Sequence, residues 1–375
     1  MDVRLKITFV LPPDQLVGGI RVAAEYAERL YRRGHDVLVV QPQHRSPTWR
    51  DVARSIKNGC GWPARRGEGP SYFDALTVPR VVLNHEGPVT ALDVPEGDIV
   101  VATWWETAEW VWSLPMSKGA KVHFMQDYET WSNQSARVDA TCALPIPKIV
   151  IAHWVENLLK EKFQQTPLAL VPNSVDTSKF TAPPRGKQRT PTVGLTYSTM
   201  HSKGTDISLE AVKIARERVG DLKLVAFGSV KPWSQLPLPE NTTYHERVPD
   251  AELPGIYASC DAWLFGTRRE GFGLPLLEAM ACRTPAIGAP AGAAPELLRQ
   301  GGGWLVPADS PAAMAEAIVR LCEMSDEAWR CMSDMAYATA HRYTWDDAAD
   351  RFETALRQAT LMETVAGDSA YQGAA

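Results

Sequence analysis

Short apolar runs alternate with stretches of helical spacing along almost the whole chain. Residues 4–11 have the pattern of a buried strand, and Gly18 and Gly19 then predict a turn. Apolar residues recur every three to four positions over 20–33, which predicts a helix, and 36–40 predicts the next strand. This order predicts two parallel strands joined by a right-handed crossover.

The same alternation continues to the C-terminus, apart from 42–78, where we expect loops and one short helix. It is typical of α/β layers around parallel sheets, so we predict two Rossmann-like domains facing a central cleft. Further strands are predicted at 79–83, 98–103, 120–125, 148–152, 168–171, 191–195, 222–227, 242–245, 261–265, 284–287 and 303–306. Further helices are predicted at 153–164, 204–217, 250–258, 274–281, 310–323, 326–340 and 345–362.

A chain of 375 residues is long enough for about two domains with separate cores. We place the first domain at 1–172 and the second at 191–344, with a proline-containing linker at 173–190. The helix at 345–362 is expected to cross back to the first domain. Small and polar residues over 363–375 predict a disordered tail.

Composition and charge narrow the function classes. The net charge of −5 argues against nucleic acid as a partner. No apolar run has the length of a membrane helix, and the N-terminus reads as a strand rather than a signal peptide. The six cysteines form no CxxC pair, which favours reduced thiols in a cytoplasmic protein. We identify no basic amphipathic helix, yet peripheral contact at the inner face of a membrane stays open.

The strongest chemical signal lies at 270–278, where a glycine-rich turn follows a strand and opens a helix. Gly271 and Gly273 leave the backbone amides unobstructed, and Pro275 suits a first helical turn. The free amides near Leu274, together with the helix dipole, therefore favour a phosphate. A plain strand-to-helix turn is the alternative.

Residues 270–298, EGFGLPLLEAMACRTPAIGAPAGAAPELL, resemble the donor-site signature of glycosyltransferase family 4, a retaining family with the GT-B fold. The order over about 191–345 is also similar to the family: a strand, Lys203–Gly204, a strand ending at Gly228, then VPDAELP. The resemblance implies a retaining hexosyltransferase. It would move a sugar from a nucleotide-diphosphate sugar to a glycan, lipid-linked or small-molecule acceptor in cell-surface polysaccharide synthesis. No metal and no cofactor are implied, with the donor bound to the second domain and the acceptor to the first.

The same resemblance assigns roles to the matching positions. Glu270 would contact the donor sugar, Glu278 the ribose, and Lys203 the diphosphate, although Lys203 alone reads as a surface lysine before a helix. The backbone along the sugar and phosphates would be that of Gly271, Phe272, Gly273 and Leu274, and the early turn at Gly18 and Gly19 would admit a phosphate or acceptor.

The sequence departs from the family in two places. The arginine that usually precedes the lysine and clamps the diphosphate is absent from 191–202. Arg21, Arg268 and Arg269 are candidates to replace it, with solvated surface positions as the alternative.

The second departure is on the acceptor side. The usual His-Asp pair corresponds to Gln126 and Asp127 in KVHFMQDYE, a stretch that also resembles bacterial polysaccharide rhamnosyltransferases. Because a glutamine cannot act as a base, we expect Gln126 to position a hydroxyl, while the leaving phosphate takes the proton. His123 is the alternative residue for this place. Trp104 and Trp105 could face the cleft, with core packing as the favoured interpretation.

Several catalytic patterns are missing from the sequence. It contains no DxD triplet, HExxH, GxSxG, Walker A or GxGxxG motif, which disfavours other transferase, metalloenzyme, hydrolase, NTPase and dehydrogenase classes. Two alternatives to a transferase stay open: a non-catalytic sugar-nucleotide-binding or assembly subunit, and a GT-B sugar-nucleotide epimerase.

Overall fold

The computed structural model describes residues 3–45, 48–57, 71–130 and 134–372. The chain divides into two compact units, each built on a parallel sheet. The first unit contains residues 1–171 and 349–375, and the second contains 172–348. Two α/β units with parallel sheets confirm the predicted fold class.

The first unit has a sheet in the order β3-β2-β1-β4-β5-β6-β7, with all pairs parallel. The order reverses direction between β1 and β4, a place where ligands commonly bind in open α/β sheets. Its strands are Lys6–Val10, Asp36–Gln41, Arg80–Val82, Ile99–Ala102, Ala120–Met125, Lys148–Val150 and Ala169–Leu170. Its helices α1 to α5 are Gly18–Arg32, Trp49–Lys57, Trp105–Ser113, Ser135–Ala143 and His153–Phe163, with a 3-10 turn at Met116–Lys118.

The second unit repeats this plan with the order β10-β9-β8-β11-β12-β13, again parallel throughout. Its strands β8 to β13 are Thr192–Thr196, Lys223–Gly228, Thr242–Glu246, Ala262–Phe265, Ala286–Gly288 and Gly303–Leu305. Its helices α6 to α11 are Thr205–Arg216, Leu253–Ala258, Leu274–Ala281, Ala294–Leu298, Pro311–Glu323 and Asp326–His341, with a 3-10 turn at His201–Lys203.

The last helix, α12, covers Trp345–Gln372 and enters the first unit from Ala349 onward. Phe352 on this helix stacks on Tyr26 of α1 at a ring separation of 4.4 Å and meets Phe124 of β5 edge-on at 5.0 Å. All three rings are fully buried. Burial of this size makes α12 part of the first unit's core.

The segment predicted as the interdomain linker, 173–190, belongs to the second unit and makes several hydrogen bonds to it. The guanidinium of Arg185 donates to the carbonyl of Cys260, and Lys187 Nζ donates to the carbonyls of Cys322 and Met324, both at 2.6 Å. The backbone amide of Gln188 donates to Asp261 at 2.7 Å. These bonds fix the segment because each satisfies a polar group that is partly removed from water.

The C-terminal end also differs from the expectation of a disordered tail from about 363. Helix α12 continues to Gln372. Adding residues to an existing helix gains one hydrogen bond per residue without a new nucleation cost, which explains the extension.

Candidate functional site

The turn at 270–273 opens α8 in the second unit, and the backbone at 292–293 packs against it. Gly273 has φ of +102° and caps the helix. The amide of Ala293 donates to the carbonyl of Phe272 at 2.8 Å. A Cβ at Gly292 would lie 2.5 Å from that same carbonyl, so the approach requires glycine. The turn is therefore fixed by backbone packing.

Helix α8 leaves amide donors at this turn. Leu276 and Leu277 both donate to the carbonyl of Gly273, and Pro275 has no amide hydrogen. Within the part of the chain that the structure describes, no protein acceptor is recorded for the amides of Gly273 and Leu274. Two amides at the start of a helix form a suitable anion seat.

The turn after β8 reaches the same strand end through a second glycine. Gly204 has φ of +59°, and a Cβ there would lie 1.8 Å from the carbonyl oxygen of Gly266, just after β11. The amides of Arg268 and Arg269 both donate to the carbonyl of Ser202, at 2.9 and 3.1 Å. The two loops are thus joined main chain to main chain.

This junction brings Lys203 and Glu270 together. Lys203 Nζ lies 2.8 Å from Glu270 Oε2, with the lysine side chain 37% exposed and the glutamate 18%. The pair is separated by 66 intervening residues, so only the fold creates it. The half-exposed ammonium of Lys203, next to the amides at the start of α8, can bind a phosphate. The carboxylate of Glu270 can accept hydrogen bonds from hydroxyl groups.

Glu278 lies one turn into α8 and is buried. Its Oε2 accepts a hydrogen bond from the hydroxyl of Tyr257 at 2.8 Å. Tyr257 itself is fully buried. The tyrosine fixes the orientation of the carboxylate, and sequence reasoning missed it because the partner lies on another helix.

Of the three arginine candidates, Arg268 is bound within the protein. Its two terminal nitrogens contact the two oxygens of Asp206 at 2.7 and 2.8 Å, and Nε contacts Asp309 at 2.5 Å. These carboxylates raise the pKa of Arg268. Such a bidentate pair makes Arg268 a link between the loop after β11, the first turn of α6 and the loop before α10, rather than a clamp for a ligand. Arg21 and Arg269 remain candidates for the arginine that binds the diphosphate.

In the first unit, Gln126 and the glycine turn are brought together. Gln126 follows β5, and its side-chain Nε2 donates to the carbonyl of Gly19 at 3.0 Å, in the first turn of α1. Strand β4 lies between β5 and β1, so the side chain reaches past the end of β4. No side chain caps this helix start. Gly18, Gly19 and Gln126 therefore lie together beyond the carboxyl end of β5, and we call these three residues the edge of the first unit.

The other residues predicted near this edge are arranged differently. Asp127 is half-buried, and its Oδ1 accepts from the amide of Tyr128 at 2.7 Å. His123 is 2% exposed within β5, beside Lys148 of β6 in register. Burial, reinforced by the charge of Lys148, lowers the pKa of His123 to about 3. His123 is therefore a neutral core residue, and Gln126 is the side chain at the strand end.

The two tryptophans after β4 also differ. Trp105 is 3% exposed and lies in a hydrophobic cluster with Met125 and Val155. Trp104 is half-buried against the same cluster. The favoured packing interpretation is thus confirmed for Trp105.

Neither a metal cluster nor a spanning helix is found where the structure can be described. Over these ranges, no three histidine, cysteine, aspartate or glutamate residues are grouped to hold a metal ion. None of the helices there is long and apolar enough to cross a bilayer.

Comparison with known proteins identifies a match in the second unit. Residues 191–324 match the family described as glycosyl transferases group 1. The chain is 33% identical over 101 residues to O-antigen chain mannosyltransferase B of Escherichia coli, covering 27% of this chain and 26% of that protein. It is 28% identical over 221 residues to the GDP-mannose-dependent alpha-(1-6)-phosphatidylinositol monomannoside mannosyltransferase of Mycolicibacterium smegmatis, covering 52% and 56%. The chain thus spans between a quarter and just over half of these relatives.

Solved structures match nearly the whole chain. Anabaena HepE in complex with UDP and glucose has a TM-score of 0.70 at 16% identity, covering 94% of this chain and 100% of that one. Sucrose-phosphate synthase from Thermosynechococcus elongatus has a TM-score of 0.66 at 16% identity, covering 94% and 99%. At this identity the likeness shows the fold, which is the predicted GT-B arrangement of two parallel-sheet α/β units.

Proposed function

We propose that this protein is a retaining glycosyltransferase that moves a sugar from a nucleotide-diphosphate sugar to a hydroxyl of an acceptor. The acceptor is a glycan, a lipid-linked saccharide or a small molecule, and the product belongs to cell-surface polysaccharide synthesis. The match of 191–324 to the glycosyl transferases group 1 family supports this class of reaction. Two mannosyltransferases among the relatives support a hexosyl donor.

One observation carries the proposal. The ammonium of Lys203 and the carboxylate of Glu270 lie 2.8 Å apart, next to the amides at the start of α8. We expect the donor diphosphate to take the lysine and the amides of Gly273 and Leu274, while Glu270 accepts hydrogen bonds from sugar hydroxyls. The leaving diphosphate gains negative charge as the glycosidic bond breaks, so donors fixed there favour the transition state.

The remaining residues complete the donor site in this proposal. Glu278, oriented by Tyr257, accepts hydrogen bonds from the ribose hydroxyls. The backbone of Gly271 and Phe272 lies along the sugar. No metal is required, because the lysine and helix amides carry the charge stabilisation that a cation would supply.

The edge of the first unit is assigned to the acceptor. Gln126 would position the attacking hydroxyl, with Asp127 and the Gly18–Gly19 turn beside it. Neither His123, which is buried and neutral, nor Gln126 is available as a general base. We therefore propose that the leaving phosphate accepts the acceptor's proton on the same face of the sugar, which retains the anomeric configuration.

Donor binding is the first test. Thermal unfolding would be followed with UDP-, GDP-, dTDP- and ADP-sugars in the absence of metal. A donor that binds only the folded protein, at 100 times its dissociation constant, adds about 2.7 kcal/mol of stability. We expect one base to give this shift.

Transfer with the donor so identified is the second test. Lys203→Ala and Glu270→Ala should each lower kcat/KM by about 100-fold to 1000-fold, since each removes a charged contact to the reacting groups. Lys213→Ala is the matched control, because Lys213 is an exposed lysine in α6 that pairs only locally with Glu210. Wild-type rates in both site variants would refute the assignment. Donor binding without turnover would favour a non-catalytic subunit.

A further inference from the structure

A glutamate in the first turn of α3 has no partner of its own. Glu106 is half-buried. Among the residues that the structure describes, none donates a hydrogen bond to its carboxylate and none forms an ion pair with it. A partly buried carboxylate is costly unless a donor satisfies it. Burial accordingly raises the pKa of Glu106.

The positive charge that acts on Glu106 is bound to a different glutamate. Nη2 of Arg137, on α4, lies 2.6 Å from Oε2 of Glu109, and Nε lies 3.3 Å from Oε1. The guanidinium carbon also lies 4.8 Å from the ring centre of Trp105. Arg137 lowers the pKa of Glu106 without an ion pair, and the charge of Glu109 adds a smaller effect in the opposite direction. The fold thus pairs Glu109 and leaves the carboxylate of Glu106 open to a ligand.

The strand register places Glu106 close to the edge of the first unit. Ala102 of β4 pairs with Val10 of β1 on one side and with His123 of β5 on the other. The carboxyl ends of the three strands are therefore level, and Glu106 comes four positions after Ala102. The strand order reverses between β1 and β4, where open parallel sheets commonly bind ligands.

Packing also connects Glu106 with Gln126. Trp105 and Met125, which directly precede these two residues, belong to one hydrophobic cluster, in which they are 3% and 1% exposed. Gln126 in turn donates to the carbonyl of Gly19. Glu106 and Gln126 therefore extend from anchored backbone at neighbouring strand ends, so one ligand can contact both.

We infer that Glu106 binds the acceptor by accepting a hydrogen bond from one of its hydroxyl groups, while Gln126 positions the hydroxyl that attacks. The inference rests on the proposed function and deepens it, because the acceptor must then present at least two hydroxyls, as the terminal residue of a saccharide does. An ionised carboxylate only accepts hydrogen bonds, so it suits hydroxyl groups. A phosphate would be repelled there, so the terminal residue of the acceptor is a neutral sugar.

The experiment is saturation-transfer NMR of the full chain with the methyl glycosides of glucose, galactose, mannose, rhamnose and N-acetylglucosamine, without donor. We expect at least one of these neutral sugars to bind. Glu106→Gln should raise the dissociation constant of that glycoside at least about tenfold, because an amide of similar size replaces a charged hydrogen-bond acceptor. Unchanged thermal unfolding shows that the fold of the variant is intact.

The pH dependence of binding separates a binding role of Glu106 from a structural one. Since its pKa is raised, the carboxylate takes up a proton at a higher pH than an ordinary glutamate, and glycoside binding should weaken as the pH falls through that range. Binding by Glu106→Gln should lack this dependence, while Arg137 and Glu109, the charged groups that act on Glu106, stay in place. Glu161→Gln, at an exposed glutamate of α5, is the matched control and should keep the affinity and the pH dependence of the wild type.

Three results would each overturn the inference: no glycoside binds the wild type, Glu106→Gln binds like the wild type, or the variant keeps the pH dependence. The donor-induced thermal shift and the transfer assay test the proposed function separately. Glycoside binding that depends on Glu106, in a protein that binds no donor, would refute the proposed function alone. Transfer by a protein whose glycoside binding does not depend on Glu106 would refute only the inference.

Discussion

Each unit opens a helix with glycine at the carboxyl end of a strand, yet the two starts differ in chemistry. In the second unit, the start of α8 lies beside the ion pair of Lys203 and Glu270 and above the buried Glu278. In the first unit, the start of α1 contacts the neutral amide of Gln126 through Gly19. The same backbone device thus lies beside an ion pair in the second unit and beside a neutral amide in the first.

The two starts also differ in how tightly the backbone is held. Gly204 and Gly292 of the second unit lie against backbone atoms at distances that no side chain tolerates. At Gly19, the three atoms nearest to an added Cβ all belong to the flexible side chain of Gln126, the first of them at 3.6 Å. A site that must place fixed charges against a diphosphate gains from a rigid frame.

The largest expected effect comes from breaking the rigid frame. Gly204→Ala forces a left-handed backbone on alanine and places its Cβ 1.8 Å from the Gly266 carbonyl. We expect a loss of about 3 kcal/mol or more in the free energy of unfolding of the second unit. Urea-induced unfolding followed by circular dichroism measures this loss.

Gly19→Ala is the matched comparison in the first unit. Gly19 is in the first turn of α1, and the added methyl group makes only an ordinary contact. The change in stability should stay within about 1 kcal/mol, and better helix propensity favours a small gain. Equal losses in the two variants would contradict the contrast between the units.

The next effect concerns acid and the uncharged state of His123, which is buried in β5 of the first unit. Burial disfavours the charged form of His123 and lowers its pKa to about 3 in the folded protein. The pKa of a histidine in the unfolded chain is 6.5. Below pH 6.5, the unfolded chain therefore binds a proton at this histidine, and the folded chain does not. The contribution of His123 to the free energy of unfolding is therefore fully present above pH 6.5. It is lost as the pH is lowered, by about 2 kcal/mol at about pH 5.

His123→Leu should remove this part of the acid sensitivity, because leucine fills the site without titrating. Denaturant unfolding at neutral pH and at about pH 5 gives the difference for each variant. His201→Leu is the control, since His201 is an exposed histidine for which the described residues record no ion pair, and its loss should leave the slope in place. An unchanged acid slope in His123→Leu would show that other groups cause it.

The sequence predicts the fold well because buried parallel strands read as continuous apolar runs. The runs at 36–40, 120–125 and 222–227 coincide with β2, β5 and β9 to within one residue at each end. Helix α4, at Ser135–Ala143, was not predicted, since only three of its nine residues are buried and the apolar stripe is narrow. Helix α2 corresponds to the one short helix predicted within 42–78, and Trp49, Val52 and Ile56 have helical spacing in it.

The site is less visible in the sequence, because its contacts join distant segments. Glycine and proline at fixed spacing predict the start of α8, because the backbone conformation there restricts which residue types fit. The bonds from Tyr257 to Glu278 and from Arg268 to Asp206 impose no such restriction. Tyrosine and arginine suit many positions, so only the fold shows which carboxylate each one contacts.

The smallest expected effect separates a structural arginine from a ligand-binding one. Arg268 bonds to Asp206 and Asp309 in the second unit, so its charge is already compensated. Arg268→Lys should lower stability by about 1 kcal/mol, because lysine cannot reproduce the bidentate contact, while the donor dissociation constant changes less than about threefold. Calorimetric titration with the donor and thermal unfolding supply both values. Arg218→Lys, at an arginine paired with Glu316 on the surface, should change neither. A large loss of donor affinity at unchanged stability would instead place Arg268 on the diphosphate. The site of the second unit would then depend on a mobile charge, that of an arginine released from its carboxylates, rather than on charges fixed by the fold.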